Sequence, residues 1–113
     1  MQVSSIMRWT GEGYVHWCPA CEDTHPLPKS WAFNGNVERP TFNPSFKQTF
    51  VHWSGEPGSE EARRTREDRV CHYIITDGLI QFCSDSWHDR SDIVAMPALP
   101  AHLRDGFAHE TQD

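Results

Sequence analysis

The sequence predicts a mostly β fold with minor α content, built as one small domain. The 113 residues suffice for one modest core and are too few for two. Eight prolines and seven glycines punctuate short apolar runs, as in sheets with frequent turns. No stretch repeats apolar residues at the 3.6-residue period of an amphipathic helix. We therefore expect residues 1–113 to form a single small sheet domain.

Short strands follow one another along the chain. Val3–Trp9 alternates side chains as a strand does, and the turn Gly11–Gly13 follows it. Ser30–Asn34 is a second short strand, ended by an Asn-Gly turn signal. Phe46–Trp53 is a longer strand candidate. We expect a turn of helix at Ala101–Asp105.

The clearest local structure is a hairpin near the C-terminus, at His72–Cys83. Two β-rich runs flank Asp77-Gly78, the dipeptide that a two-residue type I′ turn favours. In that register Tyr73 faces Phe82, and successive side chains alternate between the two faces. The more apolar face is expected to meet the core and consists of Tyr73, Ile75, Ile80 and Phe82.

Residues 54–69 form the one compositional break. Nine of these sixteen positions are charged, and no apolar side chain is larger than that of Ala62. We interpret the segment as an inserted solvated loop or a short exposed helical turn, with Arg63, Arg64 and Arg66 as an alternative partner-binding feature. The tail after about residue 105 is polar, and we expect it to be frayed.

Charge and hydropathy exclude several classes of function. The net charge is −6, which disfavours binding to a nucleic-acid backbone because that interaction needs a basic surface. No apolar run approaches the roughly 20 residues of a membrane span. The first residues have no basic, apolar leader, so we expect a cytoplasmic protein without a cleaved signal.

Cysteine and histidine are the unusual part of the composition, with four Cys and seven His. Cys18 and Cys21 are separated by two residues, the spacing that lets two thiolates reach one ion from a tight knuckle. The same spacing occurs in thioredoxin-like redox motifs, but Pro26 and Pro28 follow closely and no parallel-sheet pattern surrounds the pair. The sequence therefore predicts half of a structural zinc site.

The second half of the zinc site is predicted at Cys71 and His72, far along the chain. Their side chains point to opposite faces of a regular strand, so both reach one ion only if the strand begins at or after His72. His25 and His88 are the alternatives for the fourth ligand. Two further competing donors are His16 and Cys83, of which the second is read as a small, half-buried hydrophobe.

A set of motifs resembles a known family. The motifs are His16-Trp17-Cys18-Pro19-Ala20-Cys21 with His25, Trp31–Gly35, Pro40–Ser45, Cys71-His72-Tyr73 with Asp77–Phe82, and Asp85-Ser86-Trp87-His88. Their order resembles a family of small zinc-binding proteins common in phages and prophages, some of which bear the label "ammonia monooxygenase". Relatives occur beside bacterial ubiquitin-like conjugation genes. The resemblance implies a zinc-binding fold, a phage or mobile-element origin and no established reaction.

Two functions from different classes are compatible with these residues. A structural zinc joining two elements favours an accessory protein-interaction module whose partner is an unknown host or phage protein, such as a host factor or defence system. If the protein is phage-encoded, it acts in the host cytoplasm. The alternative is a small zinc-dependent hydrolase-like enzyme in which Asp85 and His88, with His72 nearby, hold a metal-bound water. A fourth protein ligand on the metal would favour the module.

Overall fold

A computed structural model describes residues 1–105 of the chain. The fold is mostly β, with 41% strand and 9% helix, as the sequence predicts. Three antiparallel sheets contain all the strands of the described residues. The elements are β1 (Arg8–Trp9), β2 (Gly13–Cys18), β3 (Asp23–Pro28), β4 (Ala32–Phe33), β5 (Phe42–Asn43), β6 (Phe46–His52), α1 (Glu60–Thr65), β7 (Glu67–Thr76), β8 (Leu79–Phe82), β9 (Ile93–Ala95) and a 3-10 turn (Ala101–Leu103). The tail after residue 105 lies outside the described residues.

The first sheet has the order β1-β2-β3. The predicted strand Val3–Trp9 is shorter in the structure, because only Arg8 and Trp9 pair with β2 in regular register. β3 was not predicted, since Pro26 and Pro28 suggest a break. The strand tolerates them because it lies at the sheet edge, where a missing N–H costs no ladder bond.

The largest sheet has the order β6-β7-β8-β9. The predicted hairpin joins β7 to β8 in the expected register, with Tyr73 opposite Phe82 and Thr76 opposite Leu79. Asp77 and Gly78 both have positive φ, at 53° and 78°, as a type I′ turn requires. A side chain at Gly78 would also crowd the backbone of Arg39, with a Cβ 3.2 Å from its Cα.

The hydrophobic core lies between the first sheet and the inner face of the largest sheet. The predicted core side chains of the hairpin are all buried, namely Tyr73, Ile75, Ile80 and Phe82. Leu27 of the first sheet and Phe46 of the largest sheet are buried in the same cluster. No helix among residues 1–105 is long and apolar enough to cross a membrane.

The charged segment 54–69 is more ordered than a simple inserted loop. Its centre forms α1, whose N-cap Ser59 accepts a hydrogen bond from the Ala62 amide at 3.0 Å. Glu67–Arg69 already belong to β7 and pair with β6. The expected loop boundary at residue 69 is therefore wrong, because strand pairing continues into residues whose side chains are charged and exposed.

Candidate functional site

Four metal-binding side chains from both large sheets lie together. Cys18 ends β2, Cys21 lies in the turn, and His25 lies on β3. Cys71 comes from the inner face of β7, 46 residues beyond His25 in the chain. One donor atom from each residue lies within 4.8 Å of the others. This four-donor cluster could hold a metal ion, and it would then join the two sheets across the core.

The separation of the donors fits a metal centre and not a disulfide. Cys18 Sγ and Cys71 Sγ are 4.0 Å apart, and all four cysteines of the chain are free. Thiolates on a tetrahedral ion with bonds of about 2.3 Å lie about 3.8 Å apart, whereas a disulfide brings sulfurs to about 2.05 Å. His25 Nε2 is buried and has no hydrogen-bond partner among residues 1–105. This is expected of an imidazole that binds a metal ion.

The electrostatics of the cluster also favour a cation. Burial alone would lower the pKa of His25, yet the adjacent sulfur atoms of Cys18 and Cys21 favour its charged form and raise the pKa to about 9. Interaction with the Cys18 and Cys71 sulfurs lowers the pKa of Cys21, while interaction with the Cys18 and Cys21 sulfurs raises the pKa of Cys71. The cluster thus stabilises positive charge among its sulfurs, and a bound metal would displace the proton of His25.

In the segment after β8, the ring nitrogens of Trp87 and His88 lie close to sulfur atoms of the four-donor cluster. Trp87 Nε1 donates a hydrogen bond to Cys21 Sγ at 3.5 Å. His88 Nε2 lies 3.6 Å from Cys71 Sγ, and burial lowers the pKa of His88. Such outer contacts orient metal ligands. They also attach the segment that follows β8 to the four-donor cluster.

The structure brings His25, not His72, to the three cysteines. β7 begins at Glu67, so Cys71 and His72 both lie in regular strand and point to opposite faces. The kink that a shared ion would need is absent from β7. His88 approaches Cys71 from outside the cluster, and His16 instead contacts the Tyr73 hydroxyl at 2.5 Å. His25 was an alternative in the sequence prediction, and the pairing of β2 with β3 places it beside Cys18 and Cys21.

On the outer face of the largest sheet, Ser45, His72 and Asp85 form a hydrogen-bonded row. Ser45 Oγ lies 3.2 Å from His72 Nε2, and His72 Nδ1 lies 2.9 Å from Asp85 Oδ1. A carboxylate only accepts hydrogen bonds, so Nδ1–H must donate to Asp85. Nε2 of the neutral ring then accepts the hydrogen bond from the Ser45 hydroxyl. The row has the connectivity of a Ser-His-Asp catalytic triad.

Three different segments position the row. Ser45 immediately precedes β6, and His72 lies on β7 opposite Lys47. Asp85 lies after β8, where its neighbour Ser86 accepts a hydrogen bond from the His72 amide at 2.9 Å and donates one to the His72 carbonyl at 3.1 Å. The Cys83 amide donates to the same carbonyl at 2.9 Å. Asp85 is therefore held beside the ring of His72 through backbone contacts.

The charge of Asp85 suits its place in the row. The hydrogen bond from His72 lowers the pKa of the Asp85 carboxyl, and Lys47, whose Nζ is 3.4 Å away, lowers it further. Asp85 is therefore ionised at neutral pH and able to orient the imidazole. Half of its side chain is exposed, at 51%, so the row is accessible from solvent.

Ser45 was not predicted to be a functional residue. It lies in Asn43-Pro44-Ser45-Phe46, which matches no nucleophile motif with a fixed spacing. Asp85 and His72 were grouped correctly in space, but as holders of a metal-bound water. The structure separates His88 from that pair, because His88 contacts Cys71 on the inner face. The only sequence signal was that Ser45 lay within the resemblance motifs.

Comparison with protein families identifies the family of this chain. A family model described as "Bacterial ubiquitination-like system serine protease (BubE)" matches residues 2–83, well over half of the 113 residues. The chain belongs to this family. The matched span contains the four-donor cluster, Ser45 and His72, and it ends two residues before Asp85. Membership in the BubE family agrees with the ubiquitin-like conjugation genes that the resemblance implied. The comparisons with curated proteins and with solved structures gave no match.

Proposed function

We propose that this BubE-family chain is a serine protease with Ser45 as nucleophile, His72 as general base and Asp85 as the carboxylate that orients His72. The observation that carries the proposal is the continuous row from Ser45 Oγ through both ring nitrogens of His72 to Asp85. Such a row is recognised by geometry and roles, not by order in the chain. The description of the BubE family as serine proteases supports the same assignment.

The proposed reaction is acyl transfer through a covalent intermediate. His72 Nε2 takes the proton of the Ser45 hydroxyl as Oγ attacks the substrate carbonyl carbon. The imidazolium that forms is stabilised by the Asp85 carboxylate and then gives its proton to the leaving group. A water molecule, deprotonated by the same nitrogen, then attacks the acyl carbon, and Ser45 Oγ leaves with the proton that His72 returns to it. The 3.2 Å separation of Oγ and Nε2 is normal for a serine–histidine pair without substrate.

We propose that the substrate is an acyl bond at a ubiquitin-like protein. The support is the family description, which assigns BubE proteins to a bacterial ubiquitination-like system. The proposed protease would cleave such a bond either to process the modifier before attachment or to remove it afterwards. Asp85 and His72 are accessible to solvent on an outer sheet face. Such an open site suits a protein substrate, whereas small molecules usually bind in deep pockets.

We further propose that the four-donor cluster holds zinc with a structural role. Three thiolates and one imidazole are a common donor set of closed, tetrahedral zinc sites, which leave no position for a water. The cluster lies on the inner face of β7, and His72 lies on the outer face, so no metal-bound water reaches the row. This arrangement favours a structural role for the zinc, which would join the two sheets. It argues against the interpretation of the chain as a zinc-dependent hydrolase.

A covalent probe tests the proposed function without knowledge of the substrate. A fluorophosphonate should label the chain once, at Ser45, and mass spectrometry of the digested protein should locate the adduct. Ser45→Ala and His72→Ala should abolish labelling, while Ser84→Ala should label normally because Ser84 is exposed and outside the row. Labelling that persists in Ser45→Ala would refute the assignment of the nucleophile.

An interaction module is the second candidate function. The observation in its favour is an open surface pocket at α1, where the exposed Arg63 and Arg66 lie beside Trp53. An acidic protein partner would suit this surface. The phage origin and the cytoplasmic location stay predictions of the sequence.

A further inference from the structure

A second group of metal-binding atoms lies on the outer face of the largest sheet. Donor atoms of His72, Cys83 and Asp85 all lie within 4.8 Å of one another. Cys83 is fixed beside His72 because its amide donates to the His72 carbonyl at 2.9 Å. None of the three belongs to the four-donor cluster, which lies on the opposite face of β7. The proposed triad gives Cys83 no role.

The donor set suits a zinc-type divalent cation. Nitrogen, thiolate sulfur and carboxylate oxygen are its three ordinary ligands in proteins, at about 2.0–2.3 Å from the ion. Two donors of a tetrahedral site with bonds of about 2.0 Å lie about 3.3 Å apart. His72 Nδ1 lies 2.9 Å from Asp85 Oδ1 and 3.1 Å from Oδ2, so shifts of a few tenths of an ångström admit the ion.

We propose that His72, Cys83 and Asp85 form a second, inhibitory zinc site. The ion would replace the proton between His72 Nδ1 and Asp85 and leave its remaining position to water. The inhibitory part rests on the proposed function. An ion bound to His72 and Asp85 would occupy the carboxylate and change the ring orientation that Ser45 needs for activation. The binding part does not, since it depends only on the three donors.

The surroundings make this site weaker than the four-donor cluster. It has three protein donors in place of four, and Asp85 is half exposed. Burial and the Asp85 carboxylate raise the pKa of Cys83, so the ion must displace a proton from the thiol. Lys47 Nζ, 3.4 Å from Asp85, opposes a second cation, but its side chain is 57% exposed and free to withdraw. The site should therefore fill only after the cluster is loaded.

Calorimetric titration of Zn²⁺ into protein that already holds one zinc per chain tests the binding. We expect a second equivalent to bind. Cys83→Ser should weaken its affinity at least tenfold, whereas Lys47→Gln should strengthen it several-fold by removing the competing charge. Ser45→Ala and Ser84→Ala are matched controls that keep all three donors and should bind the second ion as the unchanged chain does.

The fluorophosphonate labelling rate tests the inhibition. The second equivalent should lower the rate at Ser45 more than tenfold, a mild chelator should restore it, and Cys83→Ser should keep most of its labelling at the same zinc concentration. Absence of a second equivalent, or unchanged affinity in both Cys83→Ser and Lys47→Gln, would overturn the site. Binding without any change in labelling rate would overturn its inhibitory role. A chain that binds the second ion but reacts with no probe would refute the proposed function and support the site.

Discussion

Ser86 is the residue whose removal should most directly uncouple Asp85 from His72. Its hydroxyl is buried, with the residue 7% exposed, and it makes two hydrogen bonds to the backbone of His72. Replacement by alanine leaves the His72 amide without its partner. The His72 carbonyl keeps the hydrogen bond from Cys83, so only one backbone group is orphaned.

These contacts set the size of the effect. A net hydrogen bond contributes about 1 kcal/mol, and an orphaned buried amide costs about 1–3 kcal/mol. Ser86→Ala should therefore lower the free energy of unfolding by about 2–4 kcal/mol. Ser84→Ala is the matched control, because Ser84 is exposed and an exposed substitution usually changes stability by less than about 0.5 kcal/mol.

Denaturant unfolding of the metal-loaded protein measures the stability, and fluorophosphonate labelling of Ser45 reports on the row. A loss of about 1.4 kcal/mol in transition-state stabilisation slows a reaction tenfold, so a displaced Asp85 should slow labelling of Ser86→Ala by about tenfold or more. Ser84→Ala should match the unchanged chain in both measurements. Equal stability and equal labelling rates in the two variants would refute the proposed positioning of Asp85 by Ser86.

Three further results are expected. Purified protein should contain about one zinc per chain by elemental analysis. Thermal melts should show that Cys18→Ser and Cys71→Ser each lose several kcal/mol of stability, far more than Cys83→Ser. The reason is that only Cys18 and Cys71 are donors of the four-donor cluster. An equal loss in Cys83→Ser would contradict this. Removal of zinc by a strong chelator should slow labelling of Ser45, because Cys71 adjoins His72 and the segment after β8 is bonded to the cluster; unchanged labelling in verified apoprotein would refute the coupling. Replacement of residues 57–65 by a short Gly-Ser bridge should change the melting temperature little, since α1 buries only Ala62, whereas a bridge extended through Asp68 should destabilise the sheet. Equal melting temperatures for the two bridges would show that the start of β7 contributes nothing.

Local patterns were sufficient for the hairpin and its core face. The Asp77-Gly78 turn fixes the register because it requires positive φ at both positions, and the two-residue alternation then decides which side chains are buried. The reliance on local patterns also explains why the end of the charged loop was wrongly placed at residue 69. Charge composition reports exposure, and β7 begins with exposed residues that nevertheless pair with β6.

The identity of the fourth donor of the cluster depends on where β7 begins, which the composition of the chain does not show. His72 could share an ion with Cys71 only if its strand began at His72 or later. The structure begins β7 at Glu67, so strand parity turns His72 away from Cys71. His25 takes its place because β3 forms despite its two prolines and pairs with β2.

The small, mostly β character of the chain, its Cys-x-x-Cys knuckle and its type I′ hairpin are predictable from sequence, because each depends on residues adjacent in the chain. The four-donor cluster and the Ser45–His72–Asp85 row depend instead on long-range contacts between strands. Cys71 joins the knuckle across the core, and Ser45, His72 and Asp85 meet from three separate segments. Such groups carry no fixed spacing, since the path of the chain between them is set by sheet pairing and core packing.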